Sequence, residues 1–336
     1  MSQLKANSYN YAVDALRIVA ILAVIAIHTT TKNLDLVSHD LKNNLILFII
    51  NQLVRFAVPL FFLISGFVLE LSSSIEINYF DYLKKRLNRI FLPYFFWSAI
   101  YYIFIYTYHS TNYFITLLDG SAAYQLYFIP SLLIFYLIFP FLHHHYSYIS
   151  LKRVIFLLGF IQFSILSFDY YLKPITLLSP VATTLSYFFS FYLGIILAHY
   201  QFQLVSFIAK TKYFILVILF LSGTFVFLQA YSLYYLTHNY LFFYSQHRTS
   251  ILIYTLAFGG FFYYLFDKFK ILPNLIKIFS SLSFFVFFVH VLVLELFLKY
   301  VNPHPTAFIF FLAISSISFL IAYIAHKIPY LSKLTG

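Results

Sequence analysis

Apolar residues along this chain come in long runs, not in the strict alternation of a half-buried strand. Windows of about 20 apolar residues, the length that crosses a hydrocarbon core, fall near 12–31, 45–70, 91–109, 122–142, 152–168, 181–200, 213–231, 249–266, 279–298 and 306–326. The pattern predicts an all-α polytopic membrane bundle of ten transmembrane helices, with residues 1–336 as a single integral membrane domain. Asn51, Gln52, Arg55 and Pro59 interrupt the second window, so a tilt, kink or break is expected there. The fifth window, ending at Asp169, is the weakest.

The polar residues between the windows set the orientation. Lys5; Lys84, Lys85, Arg86 and Arg89; Lys152 and Arg153; Lys210 and Lys212; Lys268, Lys270 and Lys277; and Lys327 and Lys333 fall in one set of loops. Lys32, Lys42, Lys173, Arg248 and Lys299 fall in the other. The positive-inside rule then puts both termini in the cytoplasm.

Composition sharpens this picture. The chain is 62% hydrophobic and 9% charged, against about 25% charged in soluble domains. No soluble block of a hundred residues remains for an appended catalytic domain. The absence of cysteine excludes disulfides, thiolate metal sites and a Cys nucleophile. A net charge of +11 raises nucleic acid as a partner, but the basic residues sit in short loops between spans, so no nucleic acid is expected. The first window is too long and too studded with polar residues for a signal peptide. The 45 Phe and 32 Tyr fit lipid-facing and interfacial positions.

Ionisable groups inside the windows are the candidate chemistry, because Arg or Asp at mid-helix costs roughly 2.5–3.5 kcal/mol. Arg17 and His28 are 11 residues apart, about 16 Å and close to three turns, so they share a helix face. Arg17 either pairs with Asp14 at the interface or serves a site; His28 either caps the helix end or serves a site. Arg55 falls near mid-bilayer and needs an acceptor or an anionic ligand. Ser65 and Gly66 suit close helix packing and sit near the expected depth of Arg17. Glu70 is expected to meet Arg17 or the basic loop. Arg86 and Arg89, at i and i+3 with Lys85 beside them, suit lipid headgroups or a phosphorylated cosubstrate. His290 and Glu295 fall at a depth similar to His28. The tract His143–His145 resembles a metal tract, but no carboxylate is near in sequence and no metal is expected. His109, His238 and His247 lie in Tyr-rich outer loops that suit either a sugar or an interfacial belt.

Four segments in order carry a resemblance. "DALRIVAILAVIAIHTTT" has an Arg followed by a distant His; "VPLFFLISGFVL" contains an FFxxSGF-like motif; "KKRLNRIFLPYFFW" contains RxxR followed by Pro; "SLSFFVFFVH" ends a late motif on His. Together they resemble the acyltransferase-3 family of bacterial membrane O-acyltransferases. The first two look closest to its enterobacterial common antigen O-acetyltransferase subgroup. Tyr127 stands where the family often has Trp, and Phe where a late Tyr is common.

The resemblance implies an enzyme of the bacterial inner membrane. It implies transfer of an acyl group, usually acetyl, from cytoplasmic acyl-CoA to a hydroxyl of a surface glycan or its lipid-linked precursor. Arg86, Arg89 and Lys85 would then hold CoA phosphates, and Arg17 with Ser65 and Gly66 would line the pantetheine arm or polarise the thioester. His28 would act as general base or transient acyl carrier. Glu295 or His290 would orient it, and Arg55 would stabilise the oxyanion or tie helices together. The rival class is a transporter or flippase exporting a glycan or small carboxylate; against it, no inverted repeat or matching pair of broken helices is visible.

Overall fold

The computed structural model describes residues 10–36, 43–73, 78–105, 112–145, 151–172, 180–237, 243–301 and 306–329, with Leu331. Among them there is no strand. The helices delimited among the described residues are α1 (Tyr11–Leu36), α2 (Leu45–Leu53), α3 (Ala57–Leu71), α4 (Tyr79–Ile100), α5 (Tyr113–Asp119), α6 (Phe128–His145), α7 (Leu151–Leu172), α8 (Pro180–His199), α9 (Gln201–Thr237), α10 (Thr249–Lys268), α11 (Pro273–Tyr300) and α12 (Ala307–Lys327).

Among the described residues, eight segments are long and apolar enough to cross a membrane: α1, the continuous Leu45–Leu71, α7, α8, α9, α10, α11 and α12. They account for eight of the ten expected windows. The third and fourth windows behave differently. α4 carries Lys84, Lys85, Arg86 and Arg89 in its first half and passes into a π turn at Tyr101–Ile105. Residues 121–127 are not helical, so α6 starts late and only Phe128–His143 is an apolar helix of shorter length.

The second window is one span with a local defect. α2 tightens into a 3-10 turn at Val54–Phe56 before α3 resumes. Pro59 explains the place. It has no N–H to give the Arg55 carbonyl, and its ring crowds that carbonyl. The defect therefore falls at Arg55, and the buried guanidinium sits where the regular ladder is already interrupted.

Two glycines let α3 and α8 touch. A methyl on Gly66 would overlap the Phe191 carbonyl oxygen, and one on Gly194 would overlap that of Leu63. The reciprocal pair brings the backbones together as small residues do in membrane bundles. α1 is the central element, packed against α2, α3, α10, α11 and α12. Its buried face includes Ala20, Ile21 and Ile25.

Candidate active site

Arg17 and His28 each line a separate cavity at opposite ends of α1. The Arg17 cavity, about 360 Å³, is walled by Ser65, Arg86, Arg89, Tyr136, Ser280 and Ser283, and its apolar wall includes Phe61, Phe128 and Phe287. Arg17 Nη1 donates to Asp14 Oδ1 at 2.9 Å and to Ser280 Oγ at 3.0 Å, and Ser280 Oγ donates to Asp14 Oδ1 at 2.7 Å. The Asp14 partner expected from i, i+3 spacing is thus present, and Arg17 also faces the cavity. Asp14 anchors the guanidinium without removing it from the site. Ser65 is on the cavity wall, whereas Gly66 faces away, against Phe191 of α8. Arg86 Nη2 donates to Ser72 Oγ at 2.7 Å, and its guanidinium lies 5.8 Å from the Tyr82 ring centroid. Lys85 is exposed and off the cavity wall.

The His28 cavity, about 330 Å³, is walled by Ile27, Thr31, Lys32, Asp35, Arg55, Tyr124, Tyr244 and Gln246. The His28 ring stacks on His290, with centroids 5.3 Å apart and planes at 29°, and meets the Tyr124 ring at 4.7 Å. Tyr124 arrives there because Gly120 takes φ 70°, the left-handed turn that closes α5 and folds residues 121–127 back. His290 is fully buried behind His28, and its Nδ1 lies 3.0 Å from Val286 O. A carbonyl only accepts, so a neutral His290 carries its proton on Nδ1 and presents Nε2 as an acceptor. That Nε2 is buried and has no partner among the described residues.

A side-chain insertion shapes α11 at this level. Tyr101, at the start of the π turn, donates its hydroxyl to Phe288 O at 2.6 Å and accepts from Leu292 N at 2.9 Å. It bridges the two groups that an α-helix would join directly, on either side of His290. α4 and α11 are thereby registered against each other at His290, which stacks on His28.

Other candidate residues have partners that sequence distance hides, and for Glu70 the partners differ from those expected. Glu295 pairs with Lys32, a residue of the His28 cavity wall, at 3.3 Å. Among the described residues Glu70 meets two histidines, not Arg17 or the basic loop. It is buried between His143 Nδ1 at 2.8 Å and His199 Nε2 at 2.6 Å. The His tract thus has a carboxylate beside it in space. The pairing joins the ends of α3, α6 and α8, which sequence distance conceals. His247 pairs with Asp169 at 2.9 Å. His109 and His238 lie outside the described residues.

Some site residues had no clear signal. Ser280 looks like an ordinary small residue, yet it bonds both Arg17 and Asp14. Arg248, counted as an outer-loop cation, is fully buried one residue before α10. Burial lowers it to about 10, so it stays charged at neutral pH. An Arg directly abutting an apolar run was the available hint.

A model described as an acyltransferase domain, that of the acyltransferase-3 family, matches residues 10–327, nearly the whole chain. The chain belongs to this family. It is a multi-pass membrane protein, and its family membership makes it an acyltransferase. No curated protein and no solved structure matches it. Both cavities of this acyltransferase lie within the matched residues, and so does every candidate site residue named above.

Proposed function

We propose that this acyltransferase resides in a bacterial inner membrane and moves an acyl group, acetyl in the first instance, from cytoplasmic acyl-CoA to a hydroxyl of a surface polysaccharide or its lipid-linked precursor. The observation that carries this reading is the pair of cavities on one helix. A cationic, serine-lined cavity surrounds Arg17, and a histidine cavity surrounds His28, about 16 Å further along α1. The first suits a phosphorylated thioester donor and the second an alcohol acceptor. The motifs around His28 and Ser65 favour the common antigen O-acetyltransferase subgroup. Export of a glycan or carboxylate is not favoured, because the match across residues 10–327 is to an acyltransferase domain.

In this reading α4 and α6 provide two further crossings, giving ten, and the Lys and Arg distribution supports cytoplasmic termini. Arg86 and Arg89 hold CoA phosphates with charge-assisted hydrogen bonds. The pantetheine arm passes Arg17 and Ser65 toward His28. His28 takes the proton of the acceptor hydroxyl as its oxygen attacks the thioester carbonyl carbon. The C–S bond then breaks, CoA leaves as the thiolate, and a proton returns to its sulfur. His290, stacked behind, fixes the ring plane of His28. The Arg86→Glu/Arg89→Glu variant should bind acetyl-CoA at least about tenfold more weakly, given roughly 1.5–3 kcal/mol for each charged hydrogen bond lost. Titration of the purified protein measures this. Unchanged affinity in a folded variant contradicts the donor site.

A further inference from the structure

The transfer chemistry above leaves one polar network unused, on the wall of the His28 cavity. Arg55, 1% exposed, donates from Nη1 to Tyr244 O at 2.5 Å and from Nη2 to Asn51 Oδ1 at 2.7 Å. Gln52 Nε2 donates to the same Asn51 oxygen at 3.1 Å, and Arg248 Nη2 donates to Gln52 Oε1 at 2.6 Å. Arg248 also donates to Val226 O and Ser245 O. Two buried guanidiniums are thus linked through two amides, and the oxygens they bond are neutral.

Nearby carboxylates are engaged elsewhere. Asp35 accepts from the Tyr244 hydroxyl at 2.5 Å, Asp169 pairs with His247 and Glu295 with Lys32. A buried cation is ordinarily paired with an anion, because desolvation is otherwise uncompensated. Arg55 Nε is buried and has no partner among the described residues. Arg55 nevertheless forms part of the cavity wall, together with the cation Lys32, Gln246 and one carboxylate, Asp35, which the Tyr244 hydroxyl holds. A guanidinium hydrogen-bonded to neutral oxygens among the described residues, on the wall of a cavity, suits an anion that arrives there.

We infer that Arg55 is the anion-recognition residue of an acceptor subsite: the acceptor carries a carboxylate or phosphate, and Arg55 holds it beside the hydroxyl that His28 deprotonates. This rests on the acyl-transfer reading of the His28 cavity. The shared chemistry is a forked pair of anionic oxygens, supplied either by a hexuronate carboxylate or by a sugar phosphate. An alternative role for Arg55, tying α2 to the segment at Tyr244, predicts no ligand preference.

The test uses the full chain in detergent with glucuronate, glucose 1-phosphate and glucose as probes. Measurements are made in wild type and in an Arg86→Ala/Arg89→Ala background, which removes cations of the other cavity. At least one anionic probe should bind saturably and at least about tenfold more tightly than glucose, in both proteins. The tighter of the two identifies carboxylate or phosphate as the source. Arg55→Gln should abolish the preference, and Arg55→Lys should weaken it several-fold by losing the fork. If the Gln variant does not fold, the Lys variant decides. Equal binding of glucose, no saturable binding of either anion, loss of the preference in the double-alanine background, or an unchanged preference in the Arg55 variants overturns the inference. Acetyl-CoA titration of the same samples separates the failures. Wild type that binds the anions but not acetyl-CoA refutes the donor reading, whereas acetyl-CoA binding without anion preference refutes only this subsite.

Discussion

At the residue scale, one side chain is asked to carry the proton transfer. Replacing His28 by Ala should lower acyl transfer by about 10²–10⁴-fold while leaving the thermal midpoint of the purified protein close to wild type, because the ring faces a cavity. Ser280→Ala tests the opposite end of α1. It removes a partner from both Arg17 and Asp14, so it should cost about 0.5–1.5 kcal/mol in denaturant unfolding. The shared face of Arg17 and His28 was legible from spacing alone, because helical periodicity is local. Ser280 was not, because its meeting with Arg17 depends on how α11 packs against α1. The same reason hid the Glu70 pairing with His143 and His199, three residues from three helices.

At the element scale, two interruptions of regular helix frame the candidate site. Asn51, Gln52, Arg55 and Pro59 marked the second window for a tilt, kink or break, and the 3-10 turn occurs among them, at Val54–Phe56. The Tyr101 insertion into α11 had no such announcement, since a Tyr in an apolar run reads as an interfacial ring. Tyr101→Phe removes the hydroxyl that bridges Phe288 O and Leu292 N. It should lower kcat while leaving acetyl-CoA affinity unchanged, which steady-state kinetics beside a binding titration will check. The α3–α8 crossing offers a stability test. Gly66→Ala and Gly194→Ala each put a methyl into a facing carbonyl, so each should destabilise by at least about 1–3 kcal/mol, read as a lowered unfolding midpoint. Replacing Ser65, which faces the cavity, should cost far less stability.

At the scale of the whole molecule, length and composition make eight of the described segments able to cross a membrane. The other two windows are those where charge or a non-helical stretch enters the apolar run, at α4 and before α6. Hydropathy reads length and apolarity, and it cannot see a helix that starts at Phe128 after a folded-back segment. The ten-crossing arrangement makes a direct prediction. The chain has no cysteine, so a single introduced Cys is a clean reporter. Lys85→Cys and Lys333→Cys should react with an impermeant maleimide only after the membrane is opened, and Lys299→Cys should react in intact cells. The central claim is acyl transfer to a surface glycan through His28. It is tested most directly by measuring ester-linked acyl groups on surface glycans of a deletion strain carrying either wild type or His28→Ala at equal membrane levels. The account predicts that the esters vanish on deletion, return with wild type and stay absent with His28→Ala. Esters unchanged by deletion, or restored equally by His28→Ala, would contradict it.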